Sequence, residues 1–469
     1  MGLAPRKSAL SILVDIEQGG QTLDRHMDRL HAANRFDRRD ETFVRALVYG
    51  VLRWRGRLDW IIDTVSSKPI AKLDTDVRNI LRLGLFQMMY MDRIPNSAAV
   101  NTSVDLIKSR QKKWLTGFVN AILRNILRRF PDDLPAPAPD DPVRALAVAQ
   151  SMPEWIVARW TRQFGEDQTA DLCTACNQIA PLTLRANTLK TNRMDLMQEL
   201  QPYATSIRSS NYVPDGILLE GLRDKLFESH AFLSGGFQVQ DEAAQAVSHL
   251  LAPKPGQGVL DACAGLGGKS AHMAALMGNT GSITAMDHDR RKLGQLDREM
   301  QRLGITMVTP RTIDLQTADL SPYRDRFARV LLDAPCSGLG VIRRNPDTKW
   351  SRSSEDIARS ARRQIRLLSN VAALVRPDGV LVYAVCSTEP EETVDAIDSF
   401  LNKRSDFVID QSRLDIPPSL APLIVQPNRL LALPHRHGTD GFFAVRMRRR
   451  SPMERNHPYE NDRPFNFVS

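Results

Sequence analysis

Long apolar runs and paired cysteines are both missing from this 469-residue chain. No stretch of about 18 apolar residues is present, which excludes a helix that spans a bilayer. Arg6 and Lys7 precede only a short apolar stretch that Asp15 interrupts, which is unlike a secretory signal. The five cysteines are an odd number scattered along the chain, which argues against a disulfide framework. We therefore expect a cytoplasmic protein with reduced thiols and no membrane association.

The composition is ordinary, but the charge is unevenly distributed. Apolar residues make up 42% and charged residues 25% of the chain, as in globular proteins, and the length suffices for two or three domains. The formal charge is +9, and residues 1–130 hold 23 Lys and Arg against 13 Asp and Glu. Such a basic block attracts polyanions, so RNA or DNA is the expected partner. A solvated helical surface that binds nothing is the alternative.

Changes in residue pattern divide the chain into five segments. Residues 1–130 have few strand signals, and their apolar residues recur three and four apart, which predicts a helical domain. Residues 131–142 hold five prolines and four aspartates and predict a stiff linker. Residues 143–235 mix helical and strand patterns and predict a small α+β module. Residues 236–450 form the largest segment, and the polar residues 451–469 are expected to form a mobile tail.

Strand and helix patterns alternate through the largest segment. Short β-rich runs occur at Gly258–Ala262, Ser282–Asp287, Val330–Asp333 and Val380–Val385, with helical patterns between them. This alternation predicts an α/β domain with a doubly wound, mostly parallel sheet. Because ligands of such sheets bind at the carboxyl ends of the strands, we expect functional residues there.

A glycine-rich turn follows the first of these strands, in the run DACAGLGGKS at residues 261–270. A phosphate-binding loop would need glycine where Cys263 stands, and the dinucleotide-binding spacing fails at Ser270. This failure disfavours a nicotinamide-dependent dehydrogenase. A nucleoside-binding turn fits better, because Asp287 ends the next strand, where a carboxylate can accept both ribose hydroxyls. A tight turn beneath a structural helix is the alternative.

Two cysteines stand where strands of the predicted sheet end. Cys336 lies in DAPCSG, and Cys386 lies in YAVCST. A lone buried thiol is commonly inert. Two thiols at two strand ends that flank one crevice favour covalent chemistry instead.

Other cysteine and histidine patterns do not predict a metal site. Cys173 and Cys176 form a CxxC, but no second CxxC or histidine pair supplies the remaining ligands of structural zinc, so adjacent helix positions are predicted. His435 and His437 with Asp440 likewise lack a full ligand set and predict a turn before the last strand.

Four motifs together resemble the Sun or Fmu group of RNA cytosine-5 methyltransferases: DACAGLGGKS, DAPCSGLGVIRRNPDTKW, YAVCSTEPEE and PHRHGTDGFF. The first domain is similar to the helical RNA-binding domain of the antitermination factor NusB. The resemblance implies a Rossmann-like methyltransferase domain, an RNA-binding middle module, S-adenosylmethionine as co-substrate and no metal. It further implies that a monomer methylates carbon 5 of a cytosine in 16S ribosomal RNA. Transfer RNA as substrate, or a non-catalytic ribosome-assembly protein that binds RNA, are the alternatives.

The resemblance also implies roles for individual residues. Cys386 would attack carbon 6 of the cytosine, and Cys336 would assist product release. Asp333 would lie between the cofactor and the target base. The cofactor-binding set would comprise Asp333, Asp287 at the ribose, Asp314 by the adenine, and the turn residues Cys263, Ala264, Gly265, Leu266, Gly267, Gly268 and Lys269.

Chemistry alone leaves open which cysteine attacks, because DNA cytosine-5 methyltransferases use the one that follows a proline, here Cys336. The resemblance implies that Cys386 is the attacking cysteine. Two positions depart from the family pattern: Ala264, Gly265 and Leu266 stand where Ala-Ala-Pro is common, and Thr393 replaces a common asparagine. Neither departure touches a reacting group.

Overall fold

The computed structural model describes residues 2–130, 141–223, 225–412, 416–426 and 428–451. The predicted linker and the predicted tail therefore lie almost entirely outside the described residues. Within these ranges, no helix combines the length and the apolar composition that crossing a membrane requires.

Helices dominate the first part of the chain and alternate with strands in the rest. In the described ranges the α-helices are α1 (Leu3–Glu17), α2 (Leu23–Ala32), α3 (Arg38–Val65), α4 (Thr75–Tyr90), α5 (Asn96–Ser109), α6 (Thr116–Arg129), α7 (Pro142–Ala149), α8 (Glu154–Phe164), α9 (Glu166–Asn177), α10 (Arg193–Glu199), α11 (His230–Leu233), α12 (Glu242–Leu251), α13 (Gly268–Leu276), α14 (Arg290–Leu303), α15 (Thr348–Ser351), α16 (Ser354–Ala372), α17 (Val394–Lys403) and α18 (Pro434–His437). The strands are β1 (Leu182–Ala186), β2 (Ser206–Ser209), β3 (Gly216–Glu220), β4 (Phe237–Val239), β5 (Gly258–Ala262), β6 (Ser282–Asp287), β7 (Val308–Thr312), β8 (Phe327–Asp333), β9 (Val375–Val385), β10 (Phe407–Ile409), β11 (Ile424–Gln426), β12 (Arg429–Ala432) and β13 (Phe442–Arg449).

The chain forms two compact units, and the first is helical. It contains the residues up to Gln178 together with Ile342–Arg352. Its longest helix, α3, begins after Asp37, whose carboxylate accepts a hydrogen bond from the Asp40 backbone N–H at 2.8 Å. The apolar residues that recur along α3 are buried in the core of this unit. The predicted helical domain is therefore present.

This unit also contains elements that the sequence pattern assigns to other segments. Helices α7 to α9 belong to it, and the Gly56 N–H of α3 donates to Ser151 Oγ at 2.9 Å. In the segment Ile342–Arg352, Lys349 Nζ donates to the Arg53 carbonyl at 2.8 Å, and Arg53 Nη2 donates to the Arg343 carbonyl at 2.8 Å. Burial lowers the pKa of Lys349 to about 7. These contacts explain why the segment groups with the helices although the sequence pattern assigns it to residues 236–450.

The second unit begins with the small α+β module. Strands β1 to β4 form an antiparallel sheet in the order β2-β3-β1-β4. Its buried core includes Leu184, Ile217 and Phe237, which come from three of these strands. The module has the mixed architecture that the sequence predicts.

The larger sheet of the second unit is doubly wound. Its strand order is β11-β12-β13-β9-β8-β5-β6-β7, and β10 pairs with β13. Strands β5 to β9 are all parallel to one another, whereas β13 is antiparallel to β9. From β5 the chain adds β6 and then β7 on one side of this strand. It later adds β8 and then β9 on the other side of β5. This topology opens a crevice at the carboxyl ends of β5 and β8, where ligands of such sheets bind.

Candidate active site

The glycine-rich turn connects β5 to α13 at this crevice. Cys263, Gly265 and Gly267 have backbone φ angles of 69°, 56° and 84°, in the left-handed region that favours glycine. A Cβ at Gly267 would lie 2.6 Å from Leu296 Cγ, so only glycine fits there without a shift. A Cβ at Gly265 would meet no atom within 4 Å. Open space therefore lies beside the turn, where a ligand can approach the backbone.

Two carboxylates stand at the ends of the next two strands. Asp287, at the end of β6, accepts hydrogen bonds from the Gly265 N–H at 3.0 Å and the Asp289 N–H at 2.8 Å. Asp314 follows β7, and the N–H of Gln316, donating at 3.0 Å, is the main cause that lowers the pKa of Asp314. Asp287 thus joins the glycine-rich turn directly, and Asp314 lies beyond the neighbouring strand β7.

Lys269 extends from the turn to the end of β8. Its Nζ lies 2.6 Å from Asp333 Oδ2, and it lies 5.1 Å from the centre of the Phe442 ring. Burial alone would lower the pKa of Lys269, but the Asp333 carboxylate raises it above its usual value. The side chains of Lys269 and Asp333 therefore form a charged pair inside the crevice.

The two cysteines of the strand ends meet. Cys336 Sγ and Cys386 Sγ share a hydrogen bond at 3.2 Å. This hydrogen bond, followed by burial, raises the pKa of Cys336 well above its usual value, so Cys336 is held as the protonated thiol. Beside the pair, the Gly340 N–H donates to the Cys386 carbonyl at 3.1 Å, and a Cβ at Gly340 would collide with the Gly441 carbonyl.

A buried carboxylate, Glu392, holds the two cysteine loops together. It accepts hydrogen bonds from the N–H and Oγ of Ser337 at 2.7 and 2.5 Å, from Ser387 Oγ at 2.6 Å and from Gln364 Nε2 at 3.1 Å. Ser337 and Ser387 each directly follow one of the cysteines in the chain. Glu392 therefore links the backbones that carry the two thiols.

The sequence pattern does not predict this network, although it contains one signal of it. Gln364 occupies a position on α16 three residues after Ala361 and four before Leu368, and all three are buried. A polar residue on the core-facing stripe of an amphipathic helix indicates a buried partner. The identity of that partner cannot be read from the spacing along the chain.

We expect Glu392→Gln to lower the thermal stability of the protein more than the same change at its neighbour. The glutamine amide carries an N–H₂ group in place of one carboxylate oxygen, and this group would face the N–H and O–H donors around it. At least one buried hydrogen bond is then lost, which lowers stability by about 1 to 3 kcal/mol. Calorimetric unfolding measures the shift. Glu391→Gln, at a half-buried position, makes the same charge change as a control. Equal shifts for the two variants would contradict the proposed role of Glu392 as a link between the loops.

Among the residues that the structure describes, one group of three side chains resembles a metal-ligand set. Donor atoms of Asp215, His249 and His272 lie within 4.8 Å of one another. Burial, and then the charge of Arg185, lowers the pKa of His249 to about 4, and the same two causes lower the pKa of His272. Because the positive field of Arg185 also opposes a metal cation, we do not assign a metal to this cluster. The expectation of a metal-free reaction stays a prediction.

Three family models match successive parts of the chain. The model described as 16S rRNA methyltransferase RsmB/F matches residues 248–448, and that of the NusB family matches residues 3–128. The model of the ferredoxin-like domain of RsmF/B-like methyltransferases matches residues 152–224. The three matches follow the order of the helical domain, the module and the doubly wound domain.

Similar proteins align over nearly the full length. The chain is 35% identical to a probable ribosomal RNA small subunit methyltransferase B from Bacillus subtilis, over 95% of this chain and 98% of the relative. It is 32% identical to the ribosomal RNA small subunit methyltransferase B of Pseudomonas syringae pv. tomato, over 94% and 96%. The crystal structure of a protein named PH0851 is similar with a TM-score of 0.78 and 27% identity, over 94% of this chain and 98% of that chain.

Proposed function

Because the chain belongs to the RsmB/F family of rRNA methyltransferases, we propose that it methylates carbon 5 of a cytosine in 16S ribosomal RNA. The observation that carries the reaction type is the pair of thiols, Cys336 and Cys386, 3.2 Å apart at the carboxyl ends of two parallel strands. A reaction at an aromatic carbon of a pyrimidine benefits from covalent activation, and a thiolate supplies it.

S-adenosylmethionine, when bound, supplies the methyl group. The turn from Cys263 to Lys269 would hold its methionine and nucleoside parts, since open space lies beside Gly265. Asp287 would accept the ribose hydroxyls, and Asp314 would lie by the adenine. Both carboxylates are fixed by backbone N–H groups of their own turns, which pre-organises them for this task.

Cys386 acts as the nucleophile in this proposal. Its Sγ forms a bond to carbon 6 of cytosine, which makes carbon 5 electron-rich like an enamine. After carbon 5 has gained the methyl group, a base removes the carbon 5 proton, the carbon–sulfur bond breaks and Cys386 leaves as a thiolate. Cys336 Sγ lies 3.2 Å from Cys386 Sγ, and this proximity to the adduct supports its assignment to the release step.

Asp333 activates the ring. In the proposed complex its carboxylate holds the protonated N3 or the exocyclic amine of the cytosine, which increases the electrophilicity of carbon 6. The Lys269 ammonium, 2.6 Å from Asp333 Oδ2, fixes the carboxylate before the base arrives. Because carbon 5 and carbon 6 are inaccessible in a stacked helix, the target base must be single-stranded or flipped out.

RNA is the proposed partner of the first domain. The NusB-family model matches residues 3–128, which nearly coincide with the segment that carries the excess of Lys and Arg. A basic surface attracts the phosphate backbone without reading sequence. The choice of the target cytosine would then depend on the shape of the RNA and on the catalytic crevice.

We expect Asp287→Ala to weaken S-adenosylmethionine binding by about 10-fold or more, because hydrogen bonds to a charged acceptor contribute about 1.5–3 kcal/mol. Isothermal titration calorimetry measures the dissociation constant. Asp289→Ala is the matched control, since Asp289 caps α14 by accepting a hydrogen bond from the Arg291 N–H at 2.9 Å. Its replacement should lower the stability of the protein without changing its affinity for S-adenosylmethionine. Equal affinities for the two variants would contradict the ribose-binding role of Asp287.

Bisulfite sequencing of total RNA from a strain that lacks the gene tests the proposed function. The expected result is the loss of a single methylated cytosine in 16S ribosomal RNA, restored by the wild-type gene. Loss of a methylated cytosine in transfer RNA would instead identify transfer RNA as the substrate. An unchanged methylation pattern would support the non-catalytic alternative.

A further inference from the structure

Arg185 is a buried cation of the small α+β module that contacts the glycine-rich turn. It lies on β1 and is 2% exposed. Its Nη1 donates to the Gly268 carbonyl at 2.9 Å and also to Gln240 Oε1, and its Nη2 donates to Gln238 Oε1 at 2.9 Å. The guanidinium therefore joins the module to the first residue of α13.

The burial of the Arg185 charge is unfavourable in free energy, because it removes the guanidinium from water. Burial lowers the pKa of Arg185 to about 9, and the charges of Asp215 and Glu299 offset only part of this effect. The three groups that accept its hydrogen bonds are all uncharged. An apolar side chain of similar volume would commonly fill such a position with equal or better stability. The packing of the module alone therefore gives little reason for a guanidinium at this position.

The contact with Gly268 restricts the backbone of the turn. A peptide group is planar, so fixing the Gly268 carbonyl also fixes the direction of the Lys269 N–H. Gly267, one residue earlier, has a left-handed φ of 84°, and glycine there leaves the backbone with more freedom than another residue would. The Lys269 side chain then reaches Asp333 at 2.6 Å.

We propose that Arg185 is a positioning residue for the S-adenosylmethionine turn, acting through the Gly268 carbonyl. This inference rests on the proposed function, because it assigns the turn to that co-substrate. Arg185 touches neither the co-substrate nor the target base in this proposal. The module that carries Arg185 therefore contributes to co-substrate affinity as well as to the fold.

The test compares Arg185→Lys with Asn187→Ala. Lysine keeps the charge but loses the planar fork that reaches several acceptors at once. Asn187 is a buried residue of the same module that donates to the carbonyls of Gly235 and Leu303 at 2.8 and 2.9 Å, so its loss should cost stability alone. For Arg185→Lys we expect the dissociation constant and the KM for S-adenosylmethionine to rise about 10-fold, with kcat within about threefold of wild type. For Asn187→Ala we expect an unchanged dissociation constant.

The outcomes separate the proposal from its premise. Unchanged affinity in Arg185→Lys, or an equal loss of affinity in both variants, would overturn the role of Arg185. If Arg185→Lys does not fold, Gln240→Ala removes one acceptor of the guanidinium and should raise the dissociation constant by about threefold, and unchanged affinity there would overturn the role as well. Wild-type protein without saturable S-adenosylmethionine binding would contradict the proposed function and this role with it.

Discussion

Replacing Cys386 by alanine should reduce kcat for RNA methylation by at least about 10⁴-fold, as the loss of a nucleophile does in other covalent enzymes. Without a thiolate at carbon 6, carbon 5 stays part of an aromatic ring and is a poor nucleophile. Transfer of a labelled methyl group from S-adenosylmethionine to RNA measures the rate. The same variant should form no covalent complex with RNA that carries 5-fluorocytosine at the target position, where fluorine blocks release of the wild-type adduct.

Two controls make the result specific to the thiol. Cys173→Ala removes a buried cysteine of α9 and should retain both activity and adduct formation. Cys386→Ala itself should bind S-adenosylmethionine with wild-type affinity in calorimetry, since Cys386 is not in the glycine-rich turn. If Cys386→Ala still formed the adduct while Cys336→Ala did not, the roles of the two thiols would be reversed.

Family membership and the three-part architecture could be predicted from sequence, and both are confirmed by the family models and by full-length relatives. Strands β5 and β6 have the predicted bounds, because each is a short apolar run bounded by turn residues. Strand β9 begins earlier than predicted, at Val375, because exposed Arg376 and Asp378 interrupt its apolar pattern. Periodicity identifies buried stretches well and misses a strand where its end is polar.

The site could be predicted only in part, for a related reason. Parallel strands bring their carboxyl ends to one edge, so Asp333, Cys336 and Cys386 could be expected near each other. Partners of individual side chains could not be expected, because they lie far apart in sequence. Glu392 lies 55 residues from Ser337, and no periodic pattern connects the two.

The segment Ile342–Arg352 illustrates the same limit at the level of domains. It directly follows the loop of Cys336 in the chain, so the sequence assigns it to the catalytic domain. Its buried Lys349 nevertheless donates to the carbonyl of Arg53, 296 residues away in the chain. A charged residue in a motif can be interpreted as a functional group, and here the structure gives it a structural partner inside the helical unit.

Replacing Cys336 by alanine should trap the covalent adduct on RNA with ordinary cytosine, because the step that fails is the last one. The largest cause that raises the pKa of Cys336 is its hydrogen bond with Cys386. Once Cys386 Sγ is bonded to carbon 6, it can no longer share a proton with Cys336, so this cause is weakened and Cys336 loses its proton more easily. A deprotonated Cys336 next to the adduct can then remove the carbon 5 proton and allow Cys386 to leave.

The trapped species should be visible as an enzyme–RNA band on a denaturing gel, with multiple turnover strongly reduced and the first methyl transfer retained. The double variant Cys336→Ala with Cys386→Ala should give no such band, which assigns the bond to Cys386. Wild-type turnover by Cys336→Ala, with no adduct, would mean that water or another group removes the proton. In that case the 3.2 Å contact between the two thiols would have no part in the release step.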